Sequence, residues 1–109
     1  MKLVVTVIHD RDKHRTMDSL RGAGYKFTQV ASTGGFLREG NVTLLVGTED
    51  EDLEALLALV RDSCKTREQY VNLLPPDASQ VGAFIPSPVK VLVGGAIAFV
   101  LDVERFERF

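Results

Sequence analysis

The residues best equipped for chemistry stand together in residues 32–41, STGGFLREGN, where two consecutive glycines, an aromatic ring, two opposite charges, a third glycine and an asparagine separate two strand-like runs. That mixture suits the binding of a small flat ligand. Gly34, Gly35 and Gly40 can take backbone angles closed to other residues and let a ligand come close to the main chain. Phe36 presents a flat apolar face on which a base or another ring can stack.

Catalytic chemistry is poorly supported. His9 and His14 flank a helix start, but a metal site needs ligands spaced for one face plus a third, and the neighbouring Asp10 and Asp12 read as a helix cap and first-turn acids. Cys64 lies near Lys65 and Arg67, which would favour a thiolate, yet its place on an apolar helical stripe reads as a buried thiol. The acidic run over residues 49–54 opens a helix, where carboxylates complement the dipole. No phosphate-binding or dinucleotide fingerprint is present. We therefore assign no catalytic residue, no metal ligand and no cofactor, and expect a protein that is not an enzyme.

These side chains must be positioned by one small domain. A chain of 109 residues is expected to fold as a single unit, residues 1–109, burying roughly two thirds of its unfolded surface. Apolar residues make up 45% and charged residues 26%, a mixture that argues against disorder. A net charge of −2 lacks the cationic surplus that drives binding to polymeric nucleic acid. One cysteine cannot make an internal disulfide, the apolar opening is too short for a secretory signal, and no apolar run is long enough to span a bilayer. The expectation is a cytoplasmic protein with no membrane partner.

The pass along the chain gives a strand over residues 2–9, a helix over residues 11–23 capped by Asp10 with Met17, Leu20 and Ala23 as its stripe, and a strand over residues 25–32. Gly22 and Gly24 stop the helix. Alternation places Lys26, Thr28 and Val30 on one face. A strand over residues 41–47 puts Asn41, Thr43 and Leu45 opposite Val42, Leu44 and Val46. Thr48 and Glu51 form a capping-box pattern ahead of Leu53, Leu56, Leu57, Val60 and Cys64 at helical spacing. An extended segment over residues 67–74 leads into a long loop, residues 75–88, bounded by Pro75 and Pro88. Two apolar runs around Gly94 and Gly95 predict a tight hairpin. Phe106 and Phe109, three apart, predict a docked terminal helical turn. The order is a βαββαβ ferredoxin-like sandwich with an added C-terminal β-hairpin, an α+β fold.

The stretch TQVASTGGFLREGNVTLLVG, the opening KLVVTVIHD, REQYV at residues 67–71, IPSPVKVLVGGAIAFVLDV and the closing Phe106 and Phe109 together resemble the PII-like signal-transduction proteins that act as cyclic di-AMP receptors in bacteria. The resemblance runs the full length. It implies a homotrimer with one cyclic di-AMP in each cleft between neighbouring subunits. It also implies roles by position: Thr28 and Asn41 hydrogen bonding to an adenine, the backbone of Gly35 and Gly47 in close approach, and Phe36, Leu37 and Phe99 as stacking and apolar walls. Lys26 stands where the family typically has arginine, so it keeps the charge but loses the bidentate fork. Gly24 replaces a polar side chain, and Arg108 replaces a glutamine that contacts the second adenine.

The resulting expectation is a cytoplasmic signal-transduction protein that binds cyclic di-AMP at the subunit interfaces of a homotrimer and changes loop conformation, passing the signal to an unknown downstream protein. The alternative, prompted by Gly24, Lys26 and Arg108, is a PII-like trimeric interaction module that binds a protein partner or another adenine nucleotide and has weakened or lost cyclic di-AMP binding. A supply of apolar strand residues such as Val91, Val93, Ile97 and Phe99 exceeds what two short helices can cover, which favours association in either case.

Overall fold

A computed structural model describes residues 1–32, 40–72 and 88–109, with no account of the side chains of residues 31, 32, 69, 71, 72, 88 and 89. The β-branched opening forms β1 (Lys2–His9), followed by a short 3-10 turn (Asp10–Asp12) and α1 (Lys13–Gly22). Next come β2 (Phe27–Ser32), β3 (Asn41–Thr48), a second 3-10 turn (Asp50–Asp52) and α2 (Leu53–Ser63). β4 (Arg67–Asn72), β5 (Pro88–Val93) and β6 (Ala96–Asp102) complete the described elements.

The main sheet has the strand order β2-β3-β1-β6, with each neighbouring pair antiparallel. Alternation along these strands separates two faces. Val4 and Ile8 of β1 and Val42, Leu44 and Val46 of β3 are buried with Met17 and Leu20 of α1 and Leu56, Val60 and Cys64 of α2. Leu3, Val5, Leu45, Val30, Phe99 and Leu101 alternate onto the other face. Here Val30, Phe99 and Leu101 keep 42%, 44% and 46% of their surface exposed, so this side of the sheet presents apolar surface and no helix of the described residues covers it.

The ferredoxin-like arrangement is present, but the fourth place in its sheet is filled by an unexpected strand. β4 leaves the main sheet and pairs with β5, from Arg67 opposite Val93 to Asn72 opposite Pro88. β6 pairs with β1 instead, from Lys2 opposite Asp102 to Ile8 opposite Ala96. The tight hairpin predicted across Gly94 and Gly95 is therefore corrected. Those glycines, at φ +90° and +91°, carry the chain from one sheet to the other, and the Gly95 amide donates to the Cys64 carbonyl. A Cβ at Gly94 would lie 2.7 Å from the Lys65 carbonyl oxygen, so only glycine fits this crossing. Two apolar runs around a glycine pair look alike locally whether they fold on each other or part company. The deciding interaction is the open edge of β1, far away in sequence.

The helix ends also differ from expectation. Asp10 makes no side-chain cap, because the chain enters α1 through the 3-10 turn, and the buried acid at the junction is Asp12. Thr48 and Glu51 form no capping box. The second 3-10 turn shifts the start of α2 to Leu53, and the Thr48 hydroxyl donates weakly to the Glu49 carbonyl at 3.4 Å. Ala23 is exposed, and Thr16 joins Met17 and Leu20 on the buried stripe of α1. The helix stops as expected: Gly24, at φ +85°, donates to the Arg21 carbonyl at 3.0 Å while Tyr25 donates to that of Leu20 at 2.9 Å, the paired bonds of a Schellman turn. After β6 the chain takes no helical turn, and Phe106 and Phe109 are exposed. Their spacing is helical, but Val103 donates to the Met1 carbonyl at 3.2 Å and prolongs the extended pairing of β6 with β1.

Candidate functional site

The same pairing creates a cleft. With Leu3 opposite Gly47 and Thr28 opposite Leu45, the start of β1, the end of β3 and the start of β2 lie side by side on the helix-free face. The segment after β6, held against Met1 through Val103, closes the fourth side. The result is an open cavity of about 510 Å³. Leu3, Leu45, Val103 and Phe106 give it apolar walls, Thr28 supplies a hydroxyl, and Lys26 and Arg108 supply two cations. Phe27 borders the cavity, but its ring packs on the helical side against the core, with the Arg21 guanidinium 5.2 Å from its centre.

Such a cleft can hold a flat apolar group and an anion together. The aromatic and aliphatic walls accept the faces of a ring, Thr28 both donates and accepts hydrogen bonds, and the paired cations suit a phosphate. A Cβ built on Gly47 meets nothing within 4 Å, so the absent side chain leaves the cleft open there.

Four of the residues singled out from the sequence, Lys26, Thr28, Gly47 and Arg108, thus line one cavity. Asn41 does not join them. It is buried at the opposite end of β3, in register with His9 and Ser32, six residues from Gly47 and about 20 Å away at the rise of a strand. Phe99 lies opposite Val5 on the uncovered face, separated from Thr28 by β1 and β3. Gly35, Phe36 and Leu37 lie outside the described residues, as does the long loop apart from Pro88. Sequence reasoning missed Leu3, Val103 and Phe106 as cavity walls. The alternation of β1 pointed to Leu3, but the other two depend on β6 pairing with β1.

The helical side holds a different cluster. Thr16 Oγ1 lies 3.1 Å from Ser63 Oγ and 3.0 Å from Cys64 Sγ, and Ser63 donates to the Val60 carbonyl. Burial pushes the Cys64 thiol up from the ordinary value of 9.0, against the pull of its Thr16 and Ser63 hydrogen bonds. This is a packed, protonated thiol, as its stripe position suggested. At the outer end of the main sheet, the hydrogen bond and ion pair between Lys2 and Asp102 raise the lysine and lower the carboxyl. Among the described residues no group of three or more His, Cys, Asp or Glu side chains is placed to hold a metal ion, and no helix is long and apolar enough to cross a membrane.

Comparison with known proteins gives the cleft its context. The family model described as the cyclic-di-AMP receptor matches residues 1–109, the whole chain. The chain belongs to the cyclic di-AMP receptor family. Membership supports a cyclic di-AMP-binding signalling protein, and the cleft's pairing of apolar walls with two cations agrees with a nucleotide ligand. A crystal structure of a functionally unknown protein from Pediococcus pentosaceus superimposes with a TM-score of 0.78 at 34% identity, over 99% of this chain and 96% of that one. Its likeness supports the ferredoxin-like, PII-like fold of this member of the receptor family.

Proposed function

We propose that this receptor-family protein is a cytoplasmic, non-enzymatic sensor that works as a homotrimer, holding cyclic di-AMP in clefts between neighbouring subunits. Occupancy changes the conformation of residues 75–88, which signal to a downstream protein. The observation that carries the reading is the division of the site residues along β3. Lys26, Thr28, Gly47 and Arg108 line the cavity at one end, while Asn41 stands at the other and Phe99 lies across the sheet. A ligand in the cavity meets Asn41, six residues from Gly47 along β3, only from a neighbouring subunit. The uncovered apolar face bearing Val30, Phe99 and Leu101 supports such a neighbour, because water contact with this surface is relieved by a second copy.

Subunit mixing tests the reading. Lys26→Ala and Asn41→Ala each weaken cyclic di-AMP binding when assembled alone. Unfolding and refolding the two variants together restores about a quarter of the sites to full affinity if each site draws Lys26 from one subunit and Asn41 from the next. Recovery of no tight sites from a well-assembled mixture contradicts a shared site. Gly24, Lys26 and Arg108 favour the second reading, a module whose nucleotide affinity has drifted. A partner bound equally well with and without every nucleotide would support it.

A further inference from the structure

Lys26 and Gly47 line a second open cavity, of about 370 Å³, that continues from the first. Its further wall includes Gly24, Glu49 and Asp52. The two cavities form one trough with opposite electrostatic ends. Arg108 belongs to the first compartment, Lys26 stands at the junction, and two acidic residues close the second. The backbone of this wall is tied at Asp52, whose carbonyl accepts from the Tyr25 hydroxyl at 3.4 Å, and the Schellman turn holds Tyr25. A Cβ at Gly24 or Gly47 meets nothing within 4 Å, so neither position narrows the cavities it lines.

We infer that Glu49 and Asp52 are specificity-determining residues that select the ligand by its phosphate charge, admitting a dinucleotide with singly charged phosphodiesters and rejecting a nucleoside triphosphate. This rests on the receptor reading of the cleft. A phosphodiester carries about one negative charge per phosphate and keeps it beside Lys26 and Arg108, whereas a triphosphate tail carries about four in a row. With the base among the apolar walls and the first phosphate at Lys26, the remaining phosphates run into the acidic compartment. Two carboxylates there repel them; Lys26 and Met1 line both compartments, but the Met1 ammonium is already paired with Asp50 at 3.0 Å, so the two cations do not neutralise the tail. A second adenine in that compartment is instead welcome, because its exocyclic amine donates to a carboxylate oxygen.

The test compares cyclic di-AMP and ATP binding to the wild-type chain and to the double variant Glu49→Gln with Asp52→Asn, titrated at low salt. A second double variant, Glu51→Gln with Glu54→Gln, changes the net charge equally without touching the trough. The expected result is about a tenfold gain in ATP affinity for the trough variant, with cyclic di-AMP affinity unchanged or lower, and a gain that shrinks as salt rises. The control variant leaves the ratio of the two affinities within about twofold of wild type. Cyclic di-AMP binding with an unchanged ratio in the trough variant overturns this inference and leaves the receptor reading standing. Equal shifts in both double variants also overturn it. Failure of every folded protein to bind either nucleotide overturns the receptor reading, and this inference with it.

Discussion

Gly47 of β3 lies directly across from Leu3 of β1, and the space that a side chain at 47 would enter is empty to 4 Å. Leu3 is an apolar wall of the same cavity, so the strand pair supplies both a surface and an opening. Gly47→Val fills the opening from a strand position that accepts a β-branched residue. Cyclic di-AMP affinity is expected to fall by at least about tenfold, while urea unfolding moves by no more than about 0.5 kcal/mol. Full affinity in a folded Gly47→Val variant would remove this position from the site.

Lys26 lines both compartments of the trough. Lys26→Ala is expected to weaken nucleotide binding and flatten its dependence on salt, because a charge-to-phosphate contact is lost. Lys26→Arg restores a planar fork that meets a phosphate bidentately, and its binding should be several-fold tighter than wild type. Titrations across a salt series check both. Equal salt slopes in wild type and Lys26→Ala would show that Lys26 faces no phosphate.

Arg67 donates from Nη2 to Oδ1 of the buried Asp12 at 3.0 Å and from Nη1 to the Lys65 carbonyl at 3.2 Å. These bonds tie the first residue of β4 to the start of α1. Arg67→Ala leaves the Asp12 carboxylate in a buried position without its hydrogen-bond donor. The Arg67 side chain is 37% exposed, which discounts the effect below that of a wholly buried pair, and a loss of about 1–3 kcal/mol is expected in urea unfolding. A loss below about 0.5 kcal/mol would mean that solvent replaces the arginine.

The pH dependence of stability should carry the signature of Cys64. Burial raises its thiol above the ordinary 9.0, so the folded chain holds a proton that the unfolded chain releases. The folded state then binds more protons above that value, and the thiol's contribution is complete below about pH 9 and lost as pH rises through the folded value. Comparing wild type with Cys64→Ala from about pH 7 to about pH 10.5 isolates the effect from other titrations. The difference in stability between them should shrink with rising pH. A constant difference would contradict a buried, protonated thiol.

Elements set by local periodicity were legible in the sequence. The β-branched run at residues 2–9 and the stripe of Leu56, Val60 and Cys64 each needed only their own spacing. Gly24 announced its turn because few other residues accept its φ. What escaped was set by distant partners. β6 chose the edge of β1 over its neighbour in sequence, and that choice carried Val103, Phe106 and Arg108 to the cleft. The acidic run at residues 49–54 was legible as a helix opening, but nothing in it distinguished Glu49 and Asp52, which face the trough, from Glu51 and Glu54. Alternation placed Lys26 and Thr28 on one face, although β2 begins at Phe27, while Gly47 was named through the family resemblance. Asn41 was read on the same strand, and only the register reveals that it occupies the far end.

The central claim is that the cleft binds cyclic di-AMP in an assembled trimer. Isothermal titration of the nucleotide-free protein with cyclic di-AMP, beside ATP and cyclic di-GMP and with its mass in solution determined at the same concentration, tests it most directly. The account predicts a trimer that saturates near one cyclic di-AMP per subunit and prefers it to the other two nucleotides. A well-folded protein that gives no heat with cyclic di-AMP, or that binds it as a monomer, would contradict the account.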